Sequence, residues 1–314
     1  MPGQKFTWYN GIGLLLALIF ALFPVLWMLS TSFKPSDEWV KVPAVWVSGK
    51  PTIDNYLTVL APEVLLEDRG GLDQYDEDGN LKQRSDESSG GGAQGAIADF
   101  LTKSAWQSIY GSLILASGGT ALSIIVSLMA ALAIARYRFG GNFTPFFILS
   151  ARMFPPAAIA VPFVIMFSDV GASDTYWGLI LVYAAVTVPF ATWMLKSFID
   201  DLPQEIEEAA MMDGMSRWKA HLFVTIPLIK GGLVATTLFI FILNWSEFLF
   251  ALVLTYNKVS SIPVQMAKYF SATEGLLYGA QAALATVSII PLVIIGFLIQ
   301  KHLVRGLTLG AIKR

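Results

Sequence analysis

Six stretches of this chain are too long and too apolar to fold in water. They lie at roughly 9–32, 109–135, 143–168, 175–198, 229–254 and 279–302. About 20 consecutive apolar residues cross the hydrocarbon core of a bilayer as a helix, and only helices or closed barrels satisfy their backbone there. The spacing therefore predicts an all-α membrane protein with six transmembrane helices. Composition agrees: 55% of residues are hydrophobic and only 14% are charged, against about 25% charged in a soluble domain. The first stretch exceeds the apolar core of a secretory signal and lacks a small-x-small cleavage site after it, so it reads as a retained span, bent near Pro24.

Basic residues orient the spans. With the N-terminus inside, the inner segments hold Lys5, Arg136, Arg138, Lys196, Arg217, Lys219, Lys230, Lys301, Arg305, Lys313 and Arg314. The short outer loops hold only Lys258 and Lys268. Both termini are therefore expected in the cytoplasm. That gives a cytoplasmic N-terminus at 1–8, a first span at 9–32 and a long extracytoplasmic loop at 33–108. A five-helix core follows at 109–302, and a cytoplasmic tail at 303–314. The first part of the long loop, KPSDEWVKVPAVWVSGKPTIDNYLTVL, carries enough aromatic and apolar residues to pack as a small lobe. Residues 67–96 are acidic, rich in Gly and Ser, and read as a flexible insertion.

Between the fourth and fifth apolar stretches lies a polar segment, 199–228, containing EEAAMMDGMSRWKAHLFVTIPL (207–228). Asp201 reads as an N-cap, with Pro203 in the first turn and Gln204 closing a capping box. Leu202, Ile206, Ala209 and Ala210 form a shallow apolar face. Gly214 is a natural stop, since glycine accepts a left-handed conformation. Ser216 can cap a second short helix, RWKAHLFVT, ending at Pro227. The first helix is acidic, which anionic inner-leaflet lipid repels. A helix–glycine–helix element of this chemistry suits a protein partner better than a membrane surface.

Arg152, Asn244 and Glu247 lie well inside the apolar stretches. Arg152 sits about nine residues into the third, where its insertion costs at least about 3 kcal/mol unless it faces protein or water. Asn244 and Glu247 lie one turn apart on the fifth. They read either as a polar strip on a transport path, with Trp245 or nearby aromatics stacking on a sugar ring, or as interhelical hydrogen bonds. An Arg152–Glu247 pair is disfavoured by their expected depths. Pro155, Pro156, Pro162 and Pro189 imply kinks or unwound turns. With no cysteine, and His221 and His302 far apart, a metal site is not expected. The positive charge is dispersed, so nucleic-acid binding has no support.

The order of residues in 207–228 resembles the EAA loop of bacterial ABC-importer permeases: Glu208, Ala209, Ala210, then Gly214, Val224, Ile226 and Pro227. SFKPSDE, ARYRFGG, MFPP, NWSEFLFAL and RGLTLGAIK are similar to segments of the carbohydrate branch, in particular its MalG-like shorter permeases. The likeness covers nearly the whole chain except about 61–98. It implies the type I ABC-importer permease fold in a bacterial inner membrane. It also implies a cytoplasmic coupling helix made by Glu207, Glu208, Ala209, Ala210, Asp213, Gly214 and Pro227, with Gly310 and Lys313 of the tail reaching the same partner. The implied partners are two ATPase subunits, a second related permease, membrane lipid and an extracytoplasmic substrate-binding protein. No G-x-x-x-x-G-K-[ST] occurs in the chain, so ATP and Mg belong on the ATPase and this chain is not itself an enzyme. The expected substrate is a di- or oligosaccharide. A glycerol 3-phosphate or polyol importer, and a self-sufficient secondary transporter, are the alternatives.

Overall fold

A computed structural model describes residues 8–62, 64, 105–271 and 275–310. The acidic insertion at 67–96 and Lys313 lie outside them. The described chain is almost entirely helical. In order it contains α1 (Trp8–Ser32), α2 (Asp54–Leu60), α3 (Trp106–Tyr137), α4 (Thr144–Met153), α5 (Pro156–Asp169), α6 (Tyr176–Asp200) and α7 (Gln204–Met212). Then come α8 (Arg217–Leu228), α9 (Lys230–Trp245), α10 (Leu249–Leu254), α11 (Ile262–Lys268) and α12 (Tyr278–Gly310). One two-stranded ribbon pairs Phe270 with Leu276.

Four of these helices are long and apolar enough to span a membrane, and six spans result if two bent pairs each count as one. The third apolar stretch is not one helix. It is α4 and α5, bent by 87°. Phe154 and Pro155 are extended between them, because each of the consecutive prolines drives the residue before it out of the helical region. Pro162 and Pro189, by contrast, lie inside continuous helices. The fifth stretch is also shorter than expected: α9 stops at Trp245 and the chain restarts as α10 at Leu249.

The chain divides into two compact units. One comprises the described residues up to Trp106 together with Gln265–Ile289. Here α1 buries only Ser32, leaving an apolar surface such as lipid or another membrane helix would cover. The expected lobe after it is ordered. Asn55 donates to the carbonyls of Ser32 (3.0 Å) and Lys34 (2.9 Å), and Trp39 donates to Lys34 as well. The Lys34 ammonium lies 3.8 Å from the Trp27 ring centre. Burial lowers its pKa from the ordinary lysine value.

The other unit comprises Gln107–Val264 and Ile290 onward. Small residues let its helices approach closely. Gly111 on α3 sits against the Ser260 carbonyl, where a Cβ would collide. Ser123 and Thr187 share a 2.7 Å hydrogen bond between α3 and α6. The apolar core gathers Leu115, Leu179, Val182, Tyr183, Phe250 and Leu254.

A single carboxylate fixes one loop of this unit. Asp174, in a left-handed conformation (φ 56°), accepts backbone N–H bonds from Tyr256, Asn257, Lys258 and Val259 at 2.9–3.2 Å. Burial would raise its pKa, but the four amides outweigh burial and hold it below the usual carboxylate range. A carboxyl depressed in the folded state stabilises the fold above its unfolded pKa, and that contribution is lost as pH falls through the folded value. Asp174→Asn should therefore lower the thermal unfolding temperature in detergent by about 5 °C near neutral pH. The gap from the unsubstituted protein should close as pH drops below about 3.8, which unfolding curves from pH 7 to 3 would check.

Candidate functional site

The segment between α6 and α9 forms the expected helix–glycine–helix element, with different caps. Asp201 is not an N-cap. It keeps helical angles and closes the end of α6, its N–H bonding to the carbonyls of Ser197 and Ile199. Pro203 forces an extended break, so it becomes the capping residue and Gln204 begins α7. At the other end Gly214 takes φ 89°. Its N–H bonds back to Met211, and the Met215 N–H to Ala210. This paired closure is the Schellman motif, which needs a left-handed residue where Gly214 stands.

Ser216 caps α8 as expected, accepting from the Lys219 N–H. The second helix does not end at Pro227. It continues to Leu228 and breaks at Ile229, with a bend of 76° into α9. A π turn at His221–Thr225 precedes the proline, closed by the Ile226 N–H on the His221 carbonyl. Pro227 has no N–H to offer the Phe223 carbonyl, and the wider turn absorbs that loss within the helix.

The buried face of α7 differs from the apolar face expected. It consists of Glu207 and Ala210, while Ile206 and Ala209 are exposed. Glu207 Oε1 accepts from Arg136 Nε at 2.7 Å and from the Thr225 hydroxyl at 2.9 Å. His221 Nδ1 lies 3.5 Å from Oε2. The outward face carries Glu208, Ala209, Asp213, Gly214 and Pro227, with Met212 (88% exposed), Trp218 and Phe223 beside them. Gly310 ends α12.

A second site lies among α4, α6 and α9. Arg152, Asn244 and Glu247 line one pocket of about 330 Å³. Arg152 does not pair with Glu247; it donates to the Val186 carbonyl at 3.1 Å and faces the Phe190 ring. Asn244 is buried and donates to Thr120 Oγ1 at 3.2 Å, so it binds α9 to α3 as well as lining the pocket. The Glu247 carboxylate accepts from the amides of Phe250 (3.0 Å) and Ala251 (3.1 Å), capping α10. Trp245 lies outside the pocket, buried and stacked on Phe241. Tyr183, Thr187 and Phe248 take the place expected of it. Tyr183 and Thr187 are four apart on α6, and that spacing in an otherwise apolar run was their only signal in the sequence.

Helices long enough to cross a membrane, a polar pocket among α4, α6 and α9, and a two-helix element between the fourth and fifth stretches are features that a membrane permease needs. The chain belongs to the family of binding-protein-dependent transport system inner membrane components, whose family model matches residues 91–309. It is 32% identical over 304 residues to the trehalose/maltose transport system permease protein MalG of Thermococcus litoralis, covering 96% of this chain and 95% of that one. It is 30% identical over 297 residues to the trehalose transport system permease protein SugB of Mycobacterium tuberculosis, covering 94% and 93%. Its fold is similar, at a TM-score of 0.66 and 21% identity over 96% of this chain and 99% of the other, to a chain in the crystal structure of a bacterial ABC transporter that imports the acidic polysaccharide alginate.

Proposed function

We propose that this chain is the sugar-conducting permease subunit of an ABC importer, driven by ATPase subunits that seat on α7 and α8. The carrying observation is the helix–Gly214–helix element. It is pinned from inside by Glu207 and presents Glu208, Ala209, Met212 and Trp218 outward. An exposed apolar face on an acidic, rigid element fits a protein cleft. Two ATPase subunits bearing ATP and Mg would close on it, and on Gly310 and Lys313 of the tail. A second, related permease would complete the path, and an extracytoplasmic binding protein would deliver the sugar. Ligand-driven closure can bias a bundle that has two arrangements, opening it alternately to either side. In this reading 199–228 and both termini face the cytoplasm, as the basic residues favour.

The pocket lined by Arg152, Asn244, Glu247, Tyr183 and Phe248 combines hydrogen-bonding groups with aromatic edges, a composition suited to sugar hydroxyls and ring faces. Relatives named for trehalose and maltose support an uncharged di- or oligosaccharide. Uptake into proteoliposomes holding the complete complex and its binding protein tests this. Trehalose or maltose should accumulate in preference to glycerol 3-phosphate, and the reverse order would assign the pocket to a phosphorylated substrate.

A further inference from the structure

The buried cluster behind α7 joins elements that the covalent chain leaves apart. Arg136 lies in the last turn of α3, 71 positions before Glu207. Its side chain is 6% exposed and that of Glu207 is 9%. The guanidinium splits its donors. Nε bonds to Glu207, and Nη2 to the Leu202 carbonyl at 3.1 Å, in the turn leading into α7. Glu207 Oε1 also takes the Thr225 hydroxyl of α8. Next to Arg136, the Tyr137 hydroxyl lies 3.0 Å from His221 Nε2. One oxygen of the Glu207 carboxylate is thus held by α3 and α8 together, beside a cleft of about 160 Å³.

By sequence, the α7–α8 pair is tied only to α6 on one side and α9 on the other. A push on α7 and α8 would reach those two helices through the backbone, and α3 only indirectly, through its packing on α6. We propose that Arg136 and Glu207 form a strut that makes α3 move as one body with α7 and α8, carrying the ATPase stroke into the second span. Arg136 and Glu207 are positioning residues in this scheme, and the scheme rests on the ATPase-driven reading above. A planar guanidinium sharing two acceptors fixes direction as well as distance, which an ammonium on a flexible stem does not. A buried pair that loses one partner leaves a charge without compensation, so the strut should fail once Arg136 is replaced.

The chain has no cysteine, so paired spin labels can be placed without background from it. Met129 is 58% exposed and lies two helical turns before Arg136 on α3. Glu205 is exposed on α7. Labels at Met129→Cys and Glu205→Cys, in the complex with its ATPase subunits, are measured without nucleotide and after trapping with MgATP and vanadate. The strut predicts a label distance that changes by less than about 2 Å, the scale of small helix shifts within a packed unit. In Arg136→Gln the same distance should change by more than that, or split into two populations, on nucleotide trapping.

A larger nucleotide-dependent change in the labelled chain that retains Arg136 would overturn the strut without help from the variant, even where Arg136→Gln fails to assemble. An Arg136→Gln distance as constant as that with Arg136 would overturn it too. If the labelled chain binds no ATPase subunit at all, the functional reading falls and the strut with it.

Discussion

Gly214→Val is expected to leave the protein inserted and folded while cutting both uptake and ATPase attachment about tenfold or more. Gly214 holds φ 89°, a region that costs an ordinary L-residue roughly 1–2 kcal/mol and a β-branched one more. A Cβ placed there meets nothing within 4 Å, so the penalty falls on the backbone of the turn and not on packing. The turn relieves it by abandoning the Schellman closure between Met211, Ala210 and Met215. At 1.4 kcal/mol per factor of ten, the equilibrium between the correctly angled α7–α8 pair and its alternatives should shift about tenfold or more against the pair. ATPase retention through mild-detergent purification, compared with total inserted protein, measures this directly. Retention equal to that of the unsubstituted chain would remove the turn from the docking role. Gly214→Ala should lie between the two.

Glu247→Ala should cut sugar uptake by more than about tenfold at normal insertion. Its carboxylate restarts the helix after the break at 246–248 by taking the Phe250 and Ala251 amides. Tyr183 lines the same pocket. Hydrogen bonds to a charged acceptor are worth about 1.5–3 kcal/mol each. Losing two of them inside a bundle unties the corner that shapes the pocket against Arg152 and Asn244. Glu247→Gln separates capping from charge. It keeps one amide-accepting oxygen and should retain most uptake if capping dominates. Initial uptake rates per inserted complex decide between the two, and full activity in Glu247→Ala would place the path elsewhere.

The architecture was legible because lipid leaves a backbone few choices. The apolar runs located the helices, and Gly214 and Ser216 marked the turn and the second cap correctly. Proline made the detail harder to read. Pro155–Pro156 broke the third stretch, Pro203 displaced Asp201 as a cap, and Pro227 was absorbed by a π turn and not used as a stop. Each outcome depends on how neighbouring carbonyls find partners, which one strand of sequence does not encode.

The site was half legible. Arg152, Asn244 and Glu247 stood out as costly residues in apolar runs, and they do meet in one pocket. Trp245 was misplaced because its ring faces Phe241 and not the pocket. Glu207 looked like one more acid on a docking helix, yet it points inward to Arg136. That partner lies 71 residues away, and nothing in the local pattern announces a contact of that range.

This permease is expected to move its substrate only while an ATPase is seated on α7 and α8. That dependence is tested most directly by uptake into proteoliposomes that hold this chain and its partner permease, with and without the ATPase subunits and with MgATP inside and outside the lumen. Sugar accumulation that requires both the ATPase and MgATP on the cytoplasmic face is the predicted result. Accumulation by the permease chains alone, driven by an ion gradient, would show that they transport without an ATPase and would rule out the coupling role of α7 and α8.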